Sequence, residues 1–276
     1  MRSSKRKVYL SSIFMKNFFL RFKYSILFAV ILLSQTHVFA QPPIGNGTVN
    51  TINLNGLPFT GTLKTPCYNS GFEVGSFSNW GTFVGSVSSS GGVNLSTFSS
   101  TIDFSQHKII NSTTTDPFGN FLTGECGNKS AQIGDLVGGN KSSMIKYTFT
   151  VNSTNVNFSF RYAMVLQDPS SHSPNEKPFF QYMVLKGNRS YFSNLSQIIS
   201  SKKFTADGNN PFYNNLGNGI IYKDWSTECI NLSNYIGQEV SILFFVADCA
   251  LGGHGAYAYI DCLCENNDAI AKMTLL

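Results

Sequence analysis

The sequence has few charged residues and no window of sustained helical periodicity. Charged side chains make up 13% of its 276 residues, and neither an internal repeat nor a heptad pattern occurs. Without apolar residues at helical spacing, neither a helical bundle nor a coiled coil is expected. The chain is instead rich in Gly, Asn, Ser and Thr, with 24 Phe and 12 Tyr. This mixture is typical of short strands joined by polar turns.

Signature motifs of several enzyme classes are also missing. The sequence contains no Gly-x-Ser-x-Gly nucleophile elbow, no His-Glu-x-x-His zinc helix, no P-loop and no Gly-x-Gly-x-x-Gly fingerprint. Cys-x-x-Cys is absent, which argues against a zinc ribbon or a thioredoxin-like redox centre. A glycosidase needs two carboxylates facing one sugar bond, and no pair of acids is marked by its spacing. The sequence therefore predicts a protein without catalytic function, and a glycoside hydrolase is the less favoured alternative.

The first forty residues have the pattern of an export signal. Seven basic residues and no acidic ones occur there, together with the apolar run 26–33 and the small-residue cleavage site Val38-Phe39-Ala40. The run is too short to span a bilayer as a mature helix. We therefore expect a signal peptide at 1–40, no membrane span in the mature chain, and a product that is secreted or held at the cell surface. An uncleaved anchor is the alternative.

Removal of this segment changes the charge balance. The full chain carries 20 basic and 15 acidic residues, a formal charge of +5, but only 13 basic residues against 15 acidic ones follow position 40. The mature chain is therefore slightly acidic, and nothing in it indicates a nucleic-acid partner.

Residues 155–166 show the clearest strand pattern. Their apolar side chains recur at every second position and so share one face of a strand. Similar patterns occur at 145–151 and 179–185, while 239–247 is apolar on both faces at its centre. Many strands without helices predict an all-β sandwich or barrel.

The stretch 252–264 combines a glycine-rich turn with a closing strand. Small and aliphatic residues alternate there with Tyr257, Tyr259 and Asp261, which share the other face. A carboxylate on a central strand needs a partner if it is buried, so Asp261 is a candidate functional residue.

All six cysteines follow the export signal. They are Cys67, Cys126, Cys229, Cys249, Cys262 and Cys264. An even number in an exported chain predicts up to three disulfides, in any of fifteen pairings. On one strand Cys262 and Cys264 would point the same way, about 6.6 Å apart, which is too far for a bond between them. We expect Cys67, at the entry of the domain, to pair with Cys264 at its exit.

Two histidines lie in turn-like segments beside acids. His172 follows Asp168, and His254 follows Asp248. One interpretation is a transition-metal or ligand site where the two loops meet. The other, which we favour, is that each histidine holds its own loop through backbone hydrogen bonds.

Aromatic residues supply a second set of candidate ligand contacts. Trp80 and Trp225 are the only tryptophans, and sugars stack on exposed aromatic faces. Tyr257 and Tyr259 offer the same chemistry. The alternative is that all four pack inside the domain.

Six segments, taken in order, resemble a known family of modules. They are "NSGFEVGSFSNW" (69–80), "GNKSAQIGD" (127–135), and residues 145–151, 160–173, 222–249 and 252–264. Their order is similar to that of secreted jelly-roll β-sandwich modules in surface proteins of gliding and surface-colonising bacteria. Those modules are broadly similar to MAM-type and carbohydrate-binding jelly rolls. The resemblance implies a two-layer antiparallel jelly-roll sandwich over 67–265, between a lead-in (41–66) and a short tail (266–276).

The resemblance also implies a function. We expect a non-catalytic binding module that engages carbohydrate or another cell-surface component and supports adhesion; a structural spacer or assembly unit of a surface layer is the alternative. Two features depart from the family pattern. His254 is followed directly by Gly255, where an aromatic residue is usual, and the chain ends at Leu276, which fits either a stand-alone protein or part of a larger adhesin.

A structural Ca²⁺ site is the last implication of the resemblance. In related jelly rolls the ion lies between the first and last strands, and the matching carboxylates here are Glu73 and Asp261. Ca²⁺ takes six to eight oxygen ligands, which two carboxylates and loop carbonyls could supply. The ion would also offset the cost of burying Asp261. The alternative is a solvated Glu73 and an Asp261 that accepts hydrogen bonds from backbone amides.

Overall fold

A computed structural model describes residues 67–88, 93, 97–190 and 195–264. All of them fall within one structural unit, residues 61–276. The predicted signal peptide (1–40), the lead-in (41–66) and the tail (266–276) lie outside the described residues. Within the described ranges, no helix has the length and apolar character needed to cross a bilayer.

The described residues form twelve strands and two short 3₁₀ turns, Leu195–Gln197 and Ser233–Tyr235. The strands are β1 (Trp80–Ser86), β2 (Ser99–Ser100), β3 (His107–Asn111), β4 (Lys129–Asp135), β5 (Lys141–Thr150), β6 (Asn157–Gln167), β7 (Phe179–Lys186), β8 (Ile198–Thr205), β9 (Asn214–Asn215), β10 (Ile220–Asn231), β11 (Glu239–Ala247) and β12 (Ala256–Asp261).

These strands make two six-stranded antiparallel sheets. The first sheet has the order β2-β1-β5-β11-β7-β8, and the second has the order β3-β4-β12-β6-β10-β9. The chain changes sheet at β2–β3, β4–β5, β5–β6 and β6–β7, and again at β8–β9, β10–β11 and β11–β12. Repeated crossing between two antiparallel sheets is the jelly-roll pattern. The predicted all-β jelly-roll sandwich is therefore confirmed.

Alternating side chains build the core between the sheets. One face of β6, together with Val156 just before it, carries six side chains that pack in the main core, while Ala163 and Val165 face the opposite side of the sheet. The core face consists of Val156, Phe158, Phe160, Tyr162, Met164 and Leu166. A shift of the strand by one residue would turn the aromatic side chains away from the core. The predicted strand and its faces are confirmed, with the observed bounds Asn157–Gln167 in place of 155–166. The same holds for β11, whose two faces both pack against apolar clusters.

A second apolar cluster lies on the outer face of the second sheet. Tyr257 and Tyr259 of β12 pack there against Phe121. Phe121 belongs to residues 112–128, which we call the covering segment because they lie over this face. The second sheet is therefore buried on both sides along β12, and every residue of that strand is buried.

Two disulfides tie the ends of the domain together. Cys67 is bonded to Cys264, as the sequence predicts, and Cys126 is bonded to Cys262. The expectation that all six cysteines are disulfide candidates is wrong for two of them, because Cys229 and Cys249 are free. Cys229 is exposed on β10, whereas Cys249 is completely buried after β11.

Candidate functional site

Glu73 and Asp261 hold neighbouring parts of one short segment. Both carboxylate oxygens of Glu73 accept the Asn128 amide at 2.9–3.0 Å, and Oε1 also accepts the Lys129 amide. Gly127 allows this approach, since its φ is +67° and an added Cβ would lie 2.4 Å from the Glu73 carboxylate. The glutamate thus fixes the end of the covering segment.

Asp261 holds the residues just before that point. Its Oδ2 accepts the backbone amides of Glu125 and Cys126 at 2.8 and 2.9 Å, and its Oδ1 accepts the amide of Cys262 at 2.7 Å. The side chain is fully buried. These amides satisfy the hydrogen-bonding capacity of the buried carboxylate. Hydrogen bonding of Asp261 to backbone amides is the alternative to a calcium site.

This donor set does not fit a calcium centre. Each of the four carboxylate oxygens of Glu73 and Asp261 already accepts at least one backbone N–H. Ca²⁺ would have to share those oxygens with the amide hydrogens, which would face the cation. Calcium binding here therefore stays a prediction without support from the contacts of its two expected ligands.

Trp80 is a core residue and not a ligand platform. Its side chain is 7% exposed and stacks on Phe72, with ring centroids 4.5 Å apart. Its Nε1 donates to the carbonyl of Asn69 at 2.9 Å. The candidate role of Trp80 in ligand binding is wrong, because both its face and its polar atom are occupied inside the domain.

Tyr257 and Tyr259 are likewise buried beneath the covering segment. Their hydroxyls donate to Oδ2 of Asp116 at 2.6 and 3.0 Å, and Asp116 Oδ1 accepts two further backbone amides. Burial raises the pKa of both tyrosines, and the Asp116 carboxylate adds to this effect. Their candidate role as an exposed platform is also wrong, since the pair anchors the covering segment to the sheet.

Trp225 alone of the four aromatic candidates remains half-buried at the surface. It lies where the pairing of β10 with β6 is irregular, and its Nε1 donates to the carbonyl of Leu122 at 2.7 Å. Arg161 nearby pairs with Glu125, and its Nε has no hydrogen-bond partner among the described residues. Trp225 therefore both clamps the covering segment and leaves part of its ring accessible.

A cavity of about 590 Å³ opens at the edge of the sandwich. It lies beside β8, the edge strand of the first sheet, and the segment 206–213 that leads to β9, the edge strand of the second. Phe204, Phe212 and Tyr213 supply aromatic surface. A cavity of this size suits a ligand of small-molecule dimensions.

Local turn chemistry shapes the cavity wall. Asp207 accepts the amide of Asn209 through its side chain and that of Asn210 through its carbonyl. The amide of Gly208 donates to Asp168 at 2.6 Å, and an added Cβ there would lie 2.9 Å from that carboxylate. The Asp-Gly pair therefore closes the segment onto the loop before β7.

Three lysines line this cavity, and two of them are neutralised. Lys177 pairs with Asp168 and Lys202 with Glu228, both at 2.6 Å. Lys203 forms no ion pair within the described chain, and its Nζ lies 3.8 Å from the ring centroid of Phe179. Burial lowers the pKa of Lys203, so its charge is held in a partly desolvated place.

The lining also contains hydrogen-bonding groups suited to a polar ligand. Thr205, Asp207 and Asn210 offer hydroxyl, carboxylate and amide groups. Asp207 is the one acid among the residues that the structure places in this lining. Sequence reasoning missed the cavity, although the run "KKFTADGNNPFY" (202–213) contains two of its three lysines, its aromatic residues and its turn.

His172 also lines the cavity, and the structure brings it to His254. Their ring centroids are 5.1 Å apart, and the Sγ of buried Cys249 lies 3.6 Å from Nδ1 of His254. No hydrogen bond joins either imidazole to backbone in the described chain, so the expectation that each ring holds its own loop is not met. Cys249 itself is completely buried.

No protein-family model matches this sequence, and a comparison with curated proteins also finds no match. TmCBM61 in complex with beta-1,4-galactotriose is a similar solved structure, with 14% identity, a TM-score of 0.32 and coverage of 71% of this chain and 94% of that one. The K2 cleaved adhesin domain of Lys-gingipain has 13% identity and a TM-score of 0.30, covering 67% and 87%. The enzymatically active domain of bacteriophage CBA120 tailspike protein 4 has 11% identity and a TM-score of 0.33, covering 72% and 21%. Such low scores carry no argument about ligand or activity.

Proposed function

We propose that this protein is a non-catalytic binding module whose ligand is a carbohydrate. The cavity at the edge of the sandwich carries this proposal. Its lining combines aromatic surface with side chains that donate to or accept from hydroxyl groups, which are the two contacts a sugar needs. Phe212 provides the half-buried ring, and Lys203 and Asn210 provide donors.

The charges around the cavity suit recognition of a sugar more than catalysis. A glycosidase needs two carboxyl groups on opposite sides of the scissile bond. Among the described lining residues Asp207 is the single acid, and the nearby Asp168 is engaged by Lys177 and the amide of Gly208. The lining therefore lacks a second free carboxylate to act with Asp207.

The proposal includes the cellular location of the module. Two disulfides are typical of proteins that mature in an oxidising compartment, which supports a secreted or surface-held protein. A glycan-binding module in that place would support adhesion to cells or polysaccharides. The structural spacer of a surface layer is the competing function, and it predicts no ligand at all.

Binding to an immobilised glycan array, followed by calorimetry on the hits, tests this proposal. We expect reproducible binding, and replacement of Phe212 by Ala should weaken it by about tenfold, roughly the loss expected when one aromatic contact of about 1.4 kcal/mol is removed. A comparison of binding to oligosaccharides with and without a carboxylate tests whether Lys203 contributes to recognition of acidic sugars.

Phe104→Ala is the matched control. Phe104 is 76% exposed and lies outside the cavity lining, so its removal should leave binding unchanged. Silence across neutral and acidic glycans would favour the spacer, and release of reducing sugar from a polysaccharide would favour a hydrolase.

A further inference from the structure

Three side chains with metal-binding atoms converge beside the cavity. His172 belongs to the loop between β6 and β7, whereas Cys249 and His254 belong to the turn between β11 and β12. One nitrogen of each histidine and the sulfur of Cys249 all lie within 4.8 Å of one another. The amide of Ala250 donates to the carbonyl of Glu176 at 2.8 Å, which ties the two loops together.

The spacing of Cys249 and His254 suits a tetrahedral ion. Zinc binds cysteine sulfur at about 2.3 Å and histidine nitrogen at about 2.0–2.1 Å, so a tetrahedral angle requires a sulfur–nitrogen separation of about 3.6 Å. The observed distance from Cys249 Sγ to His254 Nδ1 is 3.6 Å. The ligand nitrogen of His172 lies within 4.8 Å of the other two ligand atoms, whereas a tetrahedral ion requires about 3.3 Å between the nitrogens and about 3.6 Å from nitrogen to sulfur. These separations would need to shorten by at most about 1.5 Å.

The immediate surroundings favour coordination by these atoms. Nδ1 of His172 is buried and has no hydrogen-bond partner in the described chain, which is costly unless a ligand satisfies it. The amide of Gly253 donates to Cys249 Sγ at 3.2 Å, a contact that stabilises a thiolate. Cys249 is also a free cysteine that is shielded from solvent.

We propose that His172, Cys249 and His254 form a binding site for a divalent transition-metal ion of the zinc class. The two nitrogens and one sulfur leave a fourth position for water or another donor. Because His172 also lines the cavity, the ion would lie at the cavity margin. Binding would release the thiol proton of Cys249.

Titration of chelator-treated full-length protein with Co²⁺ and Zn²⁺, without sugar, tests the proposal. We expect one equivalent of Co²⁺ to give thiolate-to-metal charge-transfer absorption and the visible bands of a tetrahedral ion, and Zn²⁺ to displace it. Cys249→Ser should abolish the charge-transfer band, while Cys229→Ser, which removes the other free cysteine, should leave it unchanged.

His172→Ala provides a variant that spares the buried cysteine. It should weaken Zn²⁺ binding by more than about tenfold, since even outer-shell partners are worth that much. Near-UV circular dichroism without metal shows whether each variant is folded. Absence of a charge-transfer band in the wild type, or equal Zn²⁺ affinity in wild type and folded His172→Ala, would overturn the site and leave only an S–H···N hydrogen bond between Cys249 and His254. Neither outcome bears on sugar binding, which the glycan array measures separately.

Discussion

At the residue scale, His107 is a buried histidine outside the candidate sites. It is completely buried; its Nε2 lies 3.2 Å from the carbonyl of Met144, and its Nδ1 accepts the amide of Asp103 at 3.3 Å. Burial lowers its pKa, although the Asp103 carboxylate acts in the opposite sense. A proton on Nδ1 would also meet the Asp103 amide, so the neutral ring is the form that fits the fold.

This burial predicts a pH dependence of stability. The unfolded chain, with a histidine pKa of about 6.5, takes up the proton first as the pH falls. The contribution of His107 is therefore complete above that pH and is lost as the pH falls through it towards the lower folded value, with a slope of at most about 1.4 kcal/mol per pH unit. Chemical unfolding of wild type and His107→Gln between about pH 7 and pH 5 checks this. The variant should show the shallower decline, whereas the adjacent Lys108→Gln should follow the wild type.

Glu73 and Asp261 make a second prediction at this scale. Their oxygens are engaged by backbone amides, so we expect Ca²⁺ added to chelator-treated protein to leave the melting temperature unchanged. A bound ion at ten times its Kd would instead add about 1.4 kcal/mol, a shift of a few degrees. A calcium-dependent rise of that size that disappears in Glu73→Gln would restore the calcium site.

At the element scale, the strands are predictable from the sequence, whereas the position of the covering segment is not. Period-two alternation identifies β6 and β12 with their faces, because burial on one side of a sheet selects every second residue. A short run that is apolar on both faces identifies β11. The covering segment leaves no such mark. Its key contact joins Asp116 to Tyr257, 141 residues apart, and a hydrogen bond between distant loops has no local pattern. The sequence therefore leaves open whether the tyrosines form an exposed platform or pack inside the domain.

The candidate sites were not predictable from the sequence for the same reason. The cavity forms where edge strands β8 and β9 of two different sheets come together, so its lining depends on topology and not on a motif. The meeting of His172 and His254 is the interpretation that the sequence favours less, and Cys249 is assigned there to a disulfide. In an exported chain that assignment is the usual one, and only the position of Cys249 within hydrogen-bonding reach of His254 argues for another role.

At the scale of the whole molecule, two disulfides close nearly the full length of the domain. Cys67–Cys264 spans 197 residues and Cys126–Cys262 spans 136. Each bridge has one cysteine just after β12, since Cys262 and Cys264 follow that strand directly. They therefore fasten the entry loop and the covering segment to the same end of the closing strand.

Chain entropy predicts how much each bridge stabilises the fold. Closing loops of these lengths is worth about 5 kcal/mol each, and the two values differ by only about 0.3 kcal/mol. The paired substitutions Cys67→Ser/Cys264→Ser and Cys126→Ser/Cys262→Ser should thus lower the free energy of unfolding by similar amounts, measured by denaturant titration. A clearly larger loss for the second pair would show that the Cys126 bridge also holds the covering segment in the native state, because unfolded-state entropy cannot produce that difference. Cys229→Ser, which removes an exposed free thiol, should change the free energy by less than about 0.5 kcal/mol.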